Sequence, residues 1–163
     1  MTRVYVSIGS NIQREHHIRA GVHALRQRYG ELRLSPVYES AAVGFDGDNF
    51  YNLVAAFDTE EPVETVDAFL RQVEDANQRE RRGPRFGPRT LDIDLLLYGE
   101  LVRQQGKPRL PRPEITENAF VLKPLADLAA QLRDPLSGRS YGQLWRDFER
   151  PEQRLWPIPF EFD

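Results

Sequence analysis

Several kinds of residue and segment are absent from this sequence, and each absence narrows the possible functions. The chain has no cysteine, which excludes disulfides and thiolate chemistry. It has no apolar run of membrane length, and its N-terminus leads into a strand pattern rather than a signal peptide. A net charge of −3 leaves no overall cationic field for nucleic acid. We therefore expect a cytoplasmic protein with neither a membrane nor a nucleic-acid partner.

The composition is that of an ordinary globular domain. Of the 163 residues, 40% are hydrophobic and 29% are charged, which suffices for a proper core in one domain. Runs with helical spacing and runs of β-formers follow one another along the chain. We predict strands at 4–8, 33–39, 50–58 and 101–102, helices at 15–29, 59–78, 120–130 and 141–148, and an apolar tail at 155–162 that packs on the body or on a partner.

One stretch, Arg79–Tyr98, carries most of the chemical information. Its first half has five arginines within eleven residues and two Gly-Pro pairs, which indicates a cationic loop with turns. Its second half places apolar residues at alternate positions, which indicates a strand. The arginines are Arg79, Arg81, Arg82, Arg85 and Arg89, and the alternating positions are Leu91, Ile93, Leu95 and Leu97.

Two aspartates, Asp92 and Asp94, fall between these apolar positions, so both carboxylates should point to the same face of the strand. The continuous apolar run 95–97 indicates a mostly buried strand, where carboxylates need partners. Magnesium is commonly held by one or two carboxylates together with substrate phosphates, and arginine binds phosphate bidentately. The stretch therefore predicts a magnesium–nucleotide site. The alternative is an arginine-rich surface loop that forms salt bridges with the two aspartates.

The run Phe86–Asp94 resembles the signature of the 6-hydroxymethyl-7,8-dihydropterin pyrophosphokinases. Members of that family move a pyrophosphoryl group from ATP to a pterin alcohol in folate biosynthesis. The resemblance implies an α+β fold, a ferredoxin-like α/β sandwich in which helices pack on the faces of a mainly antiparallel sheet. It also implies a single pyrophosphokinase domain over 1–163, with a core at about 4–128 and a C-terminal helix and apolar tail over 129–163. The protein would act as a monomer on ATP and hydroxymethyl-dihydropterin.

The resemblance further assigns roles to residues of this sequence. Arg79 and Arg89 would be catalytic and would neutralise charge on the transferred group. Asp92 and Asp94 would hold two magnesium ions. The pterin-binding residues would be Gly9, Ser40, Val43, Phe50, Asn52, Asp92 and Phe120. The ATP-binding residues would be Arg71, Glu74, Arg81, Phe86, Leu95, Lys107, Arg109 and Arg112.

Several of these positions also have a plainer explanation from the sequence alone. Gly9 reads equally well as a turn residue, Phe50 and Phe120 as core residues, and Glu74 as a solvated residue on a helix surface. Asn52 is more informative because it lies in an otherwise apolar strand, where a buried amide must be satisfied. Its donor and acceptor suit the amide-like edge of a pterin.

The chain departs from the family pattern at four places. Ala41-Ala42 stands where the family often has a proline, and Phe86 stands where it often has tryptophan. Arg112 replaces the usual histidine, and Asn118 replaces a common arginine. These departures favour, as an alternative function, a catalytically weak paralogue that binds pterin or nucleotide as a sensor or partner protein.

Two further hypotheses concern the loops. A nucleic-acid-binding module built on the arginine loop is a second alternative, which the net acidity disfavours. If the protein is a pyrophosphokinase, we expect the loops at 40–49 and 79–89 to close over the substrates and exclude water.

Overall fold

The chain contains both strands and helices in the computed structural model, which describes residues 1–41, 48–77 and 90–163. Within those ranges no helix combines the length and the apolarity needed to cross a bilayer. The elements are β1 (Thr2–Ser10), α1 (Arg14–Tyr29), β2 (Arg33–Leu34), β3 (Val37–Ser40), β4 (Phe50–Thr59), α2 (Val63–Ala76), β5 (Asp92–Tyr98), a 3₁₀ helix (Pro113–Thr116), α3 (Ala119–Leu128), α4 (Tyr141–Arg146) and β6 (Leu155–Ile158).

The described strands form one antiparallel sheet in the order β5-β1-β4-β3-β6, with β2 also paired to β4. Helix α1 leads from β1 to β3, which lies on the far side of β4, and α2 leads from β4 to β5, which lies on the far side of β1. These two crossovers around a central antiparallel pair are the ferredoxin-like βαββαβ topology. The predicted fold class is confirmed.

The sheet has a hydrophobic layer on each face, as expected when successive side chains of a strand point to opposite sides. Val4, Val6 and Ile8 of β1 belong to one layer, which also contains the apolar sides of α1 and α2. Tyr5 belongs to the other layer, together with α3 and α4. We call the second side the α3 face, and the candidate site lies on it.

An irregularity in β5 interrupts its alternation. Tyr5 pairs with Leu97 and Val6 pairs with Leu95, so Leu96 is an extra residue between them. Leu97 therefore joins the α3-face layer, whereas Leu95 lies in the layer opposite. The predicted alternation is wrong at Leu97, but the predicted burial of the run 95–97 is confirmed, since none of its residues is more than 2% exposed.

Several predicted boundaries differ from the structure. The single strand predicted at 33–39 is two short strands, β2 and β3, and α4 ends at Arg146 rather than at residue 148. Strand β1 continues through Gly9 and Ser10, so Gly9 is a strand residue and its interpretation as a turn is wrong. Helix α2 begins at Val63 rather than at residue 59, because Pro62 is extended and forms the N-cap. The strand predicted at 101–102 is absent from the described elements, and the nearest pairing is a single bridge between Arg103 and Leu110.

The C-terminal tail packs on the body of the same chain. Strand β6 pairs antiparallel with β3, and Phe160 and Phe162 pack against the layer of α1 and α2. Arg19 on α1 donates a hydrogen bond to the backbone oxygen of Glu161 at 2.7 Å. The prediction that this apolar segment is anchored is confirmed. Its strand was not predicted because Pro157 and Pro159 argue against a sheet interior, but an edge strand tolerates proline.

Candidate functional site

Four residues of the α3 face lie side by side across four strands. Asp92 on β5 is opposite Gly9 on β1, Gly9 is opposite Asn52 on β4, and Asn52 is opposite Tyr38 on β3. Residues directly opposite one another in paired strands share a face and are in contact distance. We call these four residues the transverse row.

The centre of the transverse row is an amide lying over a glycine. A Cβ added at Gly9 would overlap Asn52 Oδ1 and would lie 3.4 Å from Asn52 Cγ, so glycine leaves the space that the amide occupies. Asn52 is only 5% exposed, and its Nδ2 has no hydrogen-bond partner among the described residues. Buried amide donors are seldom left unsatisfied, so this atom marks a place where a ligand acceptor fits.

Other residues predicted to bind pterin lie next to the transverse row. Ser40 is opposite Phe50, one same-face step beyond the pair Tyr38 and Asn52. Phe120 is the second residue of α3 and packs against the α3-face layer. Phe50 and Phe120 are half-buried rather than enclosed in the core.

Three carboxylates form an acidic cluster at the β5 end of the transverse row. One ligand oxygen from each of Glu74, Asp92 and Asp94 lies within 4.8 Å of the other two. Asp92 and Asp94 belong to β5, whereas Glu74 comes from α2. Closely spaced carboxylate oxygens are the ligands that hard divalent cations prefer.

Glu74 is fully buried, so its interpretation as a solvated helix residue is wrong. Its Oε2 accepts a hydrogen bond from the Ile93 N–H at 2.9 Å, and Arg71 donates to the carbonyl oxygen of Ile93. Arg71 Nη1 also lies 2.8 Å from Glu74 Oε1. Because β5 is at the edge of the described sheet, its outer backbone groups need partners, and α2 supplies them at Ile93.

Asp94 lies in a strongly perturbed environment. Burial and the negative charge of Asp92 raise the pKa of Asp94 to about 7, although Arg112 and Arg71 oppose the rise. Arg112 Nη2 is 3.5 Å from Asp94 Oδ1 and 2.8 Å from Glu114 Oε2. The pKa of Asp94 is raised even though two arginines lie beside it. The cluster therefore still favours additional positive charge.

Arg112 reaches the cluster through a loop that returns to β5. Arg103 and Leu110 exchange backbone hydrogen bonds of 2.7 and 2.8 Å, and the Arg112 N–H donates to the Leu96 oxygen at 3.0 Å. The sequence predicts that Arg112 binds ATP. In the structure its side chain lies beside Asp94.

The other predicted ATP-binding residues are placed less uniformly. Arg71 and Glu74 lie in or beside the acidic cluster. Lys107 and Arg109 are exposed, and their side chains make no hydrogen bond or ion pair with other described residues. Leu95 is 1% exposed and packs toward α1 and α2, which leaves only its backbone for a nucleotide contact.

Five predicted site residues lie outside the described residues, so their roles stay predictions, as does the hypothesis of closing loops. They are Val43, Arg79, Arg81, Phe86 and Arg89.

Sequence reasoning missed two residues that border the site. Tyr38 completes the transverse row and donates a hydrogen bond from its hydroxyl to Asp127 on α3. Burial, with the Asp127 carboxylate, raises the pKa of Tyr38. Glu114 holds Arg112 from two residues away. Tyr38 could have been found from the sequence, because it lies two residues before Ser40 and so on the same face of the strand. The ion pair between Glu114 and Arg112 could not, because it depends on the turn at Pro113.

Fold and site together define a ferredoxin-like domain with an acidic cluster beside a buried amide. Residues 5–130, well over half of the chain, match the family described as "7,8-dihydro-6-hydroxymethylpterin-pyrophosphokinase (HPPK)". The chain belongs to this family.

Similar proteins include three that are named 2-amino-4-hydroxy-6-hydroxymethyldihydropteridine pyrophosphokinase. The one from Pseudomonas aeruginosa is 42% identical over 148 residues, which are 87% of this chain and 89% of the relative. The one from Bacillus subtilis is 34% identical over 78% of each chain. The one from Aquifex aeolicus is 30% identical over 97% of this chain and 96% of the relative.

Solved structures with the same fold include Plasmodium falciparum HPPK-DHPS. The wild-type crystal structure with SDX-DHP matches with a TM-score of 0.71 and covers 91% of this chain at 11% identity. The wild-type structure with pteroate matches with a TM-score of 0.69 over 90% of this chain. This chain spans only 44% of each of those longer chains, and at such low identity the likeness shows the shared fold alone.

Proposed function

We propose that this protein transfers the pyrophosphoryl group of ATP to 6-hydroxymethyl-7,8-dihydropterin, giving AMP and the pterin diphosphate, in folate biosynthesis. The names of its full-length relatives support this reaction. The observation that carries the proposal is the transverse row, in which the unsatisfied amide of Asn52 and the carboxylate of Asp92 flank Gly9 on the same face. That row places the Asn52 amide, which suits a pterin edge, near the Asp92 carboxylate, which suits a metal-bound nucleotide.

The pterin would lie over the transverse row. Asn52 would donate from Nδ2 to the carbonyl-type oxygen of the pterin, and its burial would make that bond selective. Phe50 and Phe120 would contact the ring faces, since half-buried aromatic side chains offer flat apolar surfaces. Gly9 would keep the space free for the Asn52 amide, and Asp92 would approach the hydroxymethyl end.

The acidic cluster fits magnesium. Its donors are carboxylate oxygens within 4.8 Å of one another, and the pKa of Asp94 is raised to about 7 in part by the charge of Asp92, which a cation would offset. Asp92 and Asp94 would hold the two ions that the family resemblance implies, with ATP phosphates as further ligands. Magnesium, when bound, supplies neutralisation of phosphate charge and a fixed orientation of the phosphates.

The chemistry would be a direct in-line displacement. The hydroxymethyl oxygen of the pterin would attack the β-phosphorus of ATP and release its proton, the bond from that phosphorus to the α–β bridging oxygen would break, and AMP would leave. Positioning and charge neutralisation carry most of the rate in such transfers. Among the described residues, Arg71 and Arg112 flank Asp94 and would stabilise phosphate charge. Arg79, Arg81 and Arg89 are predicted to add to this.

Nucleotide products test the proposal. The full chain is mixed with ATP, magnesium and the dihydropterin alcohol, and the nucleotides are separated by chromatography. We expect AMP to form only when the pterin is present. ADP in place of AMP would contradict pyrophosphoryl transfer. Consumption of no nucleotide, with pterin binding retained, would favour the weak paralogue that the departures at Arg112 and Asn118 suggested.

Assembly and location complete the proposal. A single domain over 1–163, a monomeric state and a cytoplasmic location stay predictions from the sequence. Sedimentation equilibrium of the full chain tests the monomer, and a mass of twice 18.9 kDa would contradict it.

A further inference from the structure

The C-terminal segment 150–158 lies outside the region that matches the family, which ends at residue 130. It forms a turn, in which the Gln153 N–H donates to the Arg150 oxygen at 2.9 Å, and continues as β6. We call residues 150–158 the brace. Its contacts lie at two elements of the proposed pterin site.

The first contact is at the start of α3. Gln153 Oε1 accepts a hydrogen bond from the Ala119 N–H at 2.7 Å, and Gln153 Nε2 donates to the Glu117 oxygen at 3.0 Å. These two backbone groups lie on either side of Asn118, the N-cap residue of α3. The Gln153 amide therefore bonds to the backbone on both sides of the N-cap, as an acceptor from Ala119 and as a donor to Glu117.

Helix α3 has no N-terminal cap of its own. The side chain of Asn118 caps none of the first N–H groups of the helix, although the Asn118 backbone oxygen accepts a hydrogen bond from Val121 at 3.1 Å. Gln153, 34 residues further along the chain, supplies the acceptor for the first of them, Ala119. Because the next residue is Phe120, the same bond sets the position of the proposed pterin contact.

The second contact is at the end of β3. Leu155, two residues beyond Gln153, pairs with Ser40, and Trp156 pairs with Glu39. Ser40 is the residue at which β3 ends, before the chain returns as β4 with Phe50. One short segment thus holds both the strand end that carries Ser40 and the helix start that carries Phe120.

We propose that Gln153 is a positioning residue for the pterin site, which fixes the first turn of α3 and with it the ring of Phe120. This inference rests on the proposed function. Gln153 would touch neither substrate, and its effect would reach the pterin through the backbone of Ala119 and the side chain that follows it. The ATP part of the site, at β5 and α2, does not depend on this contact.

Two variants of the full chain test the inference. Gln153→Leu removes both hydrogen bonds at similar size, and Gln153→Glu keeps an acceptor for Ala119 while removing the donor to Glu117. We expect the dissociation constant for the dihydropterin alcohol to rise about tenfold in the first and about threefold in the second, because each bond contributes modestly. The affinity for a non-hydrolysable ATP analogue with magnesium should stay within twofold of wild type.

The matched control is Gln143→Leu, which removes the amide of a half-buried glutamine that donates to Asp147 at 3.0 Å and accepts from Arg146 at 2.8 Å at the end of α4. Its pterin affinity should equal that of wild type. Calorimetric titrations are read together with thermal unfolding, so that only folded variants are compared. Equal pterin affinity in wild type and Gln153→Leu would overturn the inference, as would parallel losses of pterin and nucleotide affinity. If wild type itself binds no pterin, the proposed function fails first, and the two failures are thereby distinguished.

Discussion

The contact between Asn52 and Gly9 is the most informative feature at the scale of single residues. Asparagine in a buried strand costs stability unless its amide finds partners, and here Nδ2 finds none among the described residues. Gly9 is required because any larger side chain would meet Asn52 Oδ1. Together they motivate the proposed pterin site.

Gly9→Ala should therefore impair both pterin binding and folding. The added methyl group displaces the Asn52 amide, so we expect at least a tenfold loss of pterin affinity and a decrease of about 1–3 kcal/mol in the free energy of unfolding. Titration and urea unfolding measure the two effects.

A double-mutant cycle assigns the loss to Asn52. If Gly9→Ala acts by moving the amide, then adding it to Asn52→Ala should weaken pterin binding no further. Fully additive losses would show that Gly9 acts by another route.

Asp94→Asn should abolish turnover while leaving the fold intact. The substitution removes one oxygen charge of the acidic cluster, and we expect at least a hundredfold loss of activity because metal sites are sensitive even to changes around their ligands. The free energy of unfolding should change by less than about 1 kcal/mol, since repulsion with Asp92 is relieved as the Arg112 contact weakens.

The matched control is Asp58→Asn, which changes an exposed strand carboxylate paired with Arg3. Steady-state kinetics at saturating magnesium compare the activities of both variants with that of wild type. Comparable activity in Asp94→Asn and wild type would contradict a metal role for the cluster.

Single residues also show where sequence reasoning works and where it stops. Asn52, Asp92 and Asp94 stand out because they are polar residues in apolar strands, so the pattern alone identifies them. Glu74 gives no such signal, because its burial depends on β5 being an edge strand whose Ile93 N–H needs an acceptor.

At the scale of elements, α2 and β5 are joined by side chain to backbone bonds. Arg71 and Glu74 bind the carbonyl oxygen and the N–H of Ile93, and Asp92 and Asp94 lie on either side of that residue. The contact therefore fixes the strand that carries the acidic cluster.

Glu74→Leu should destabilise the protein strongly. It leaves the buried Ile93 N–H without its acceptor and removes the carboxylate beside Arg71, so we expect a loss of about 2–4 kcal/mol. Glu74→Gln retains an acceptor oxygen and should cost about 1 kcal/mol. Urea unfolding of the three proteins gives the comparison, and a leucine variant as stable as wild type would refute this role.

The elements themselves were predicted unevenly, for physical reasons. Helices α1 and α2 and strands β1, β4 and β5 follow from their apolar periods. The bulge at Leu96 could not be predicted, because an extra residue leaves no mark in a run of three leucines. Strand β6 could not be predicted either, because its pairing partner β3 is more than 100 residues away in sequence.

At the scale of the whole molecule, Glu61, in the connection between β4 and α2, joins α1 and β5. Tyr29 and Arg28 of α1 donate to its carboxylate at 2.7 Å each, and Tyr98 at the end of β5 donates to its backbone oxygen. Burial acts to raise the pKa of Glu61, but the hydrogen bonds from Tyr29 and Arg28 outweigh it, so the pKa lies below its usual value.

A lowered carboxyl pKa in the folded state stabilises the fold above the unfolded-state pKa, and this contribution is lost as the pH falls through the folded-state value. We expect Glu61→Gln to be less stable than wild type by about 1–2 kcal/mol at pH 7, with the difference shrinking as the pH falls below the unfolded-state pKa of about 4.3. Urea unfolding across that range measures it. A difference that stays constant with pH would contradict the argument.

The fold and the family can be predicted from the sequence, because the signature around Asp92 and Asp94 is long and the apolar periods are clear. The relative position of the pterin half and the metal half of the proposed site cannot be predicted in this way. Asn52 and Asp92 lie 40 residues apart, and only the sheet register places them on either side of Gly9. That arrangement is the basis of the central claim, which is pyrophosphoryl transfer at the transverse row.

The most direct measurement of this claim follows the β-phosphate of ATP. The full chain is given ATP labelled at the β-phosphorus, with magnesium and the dihydropterin alcohol, and the products are separated. We predict that the label moves to the pterin product in step with the formation of unlabelled AMP, and that Asp94→Asn transfers none. Label retained in ADP, with only the γ-phosphate moved, would contradict the account.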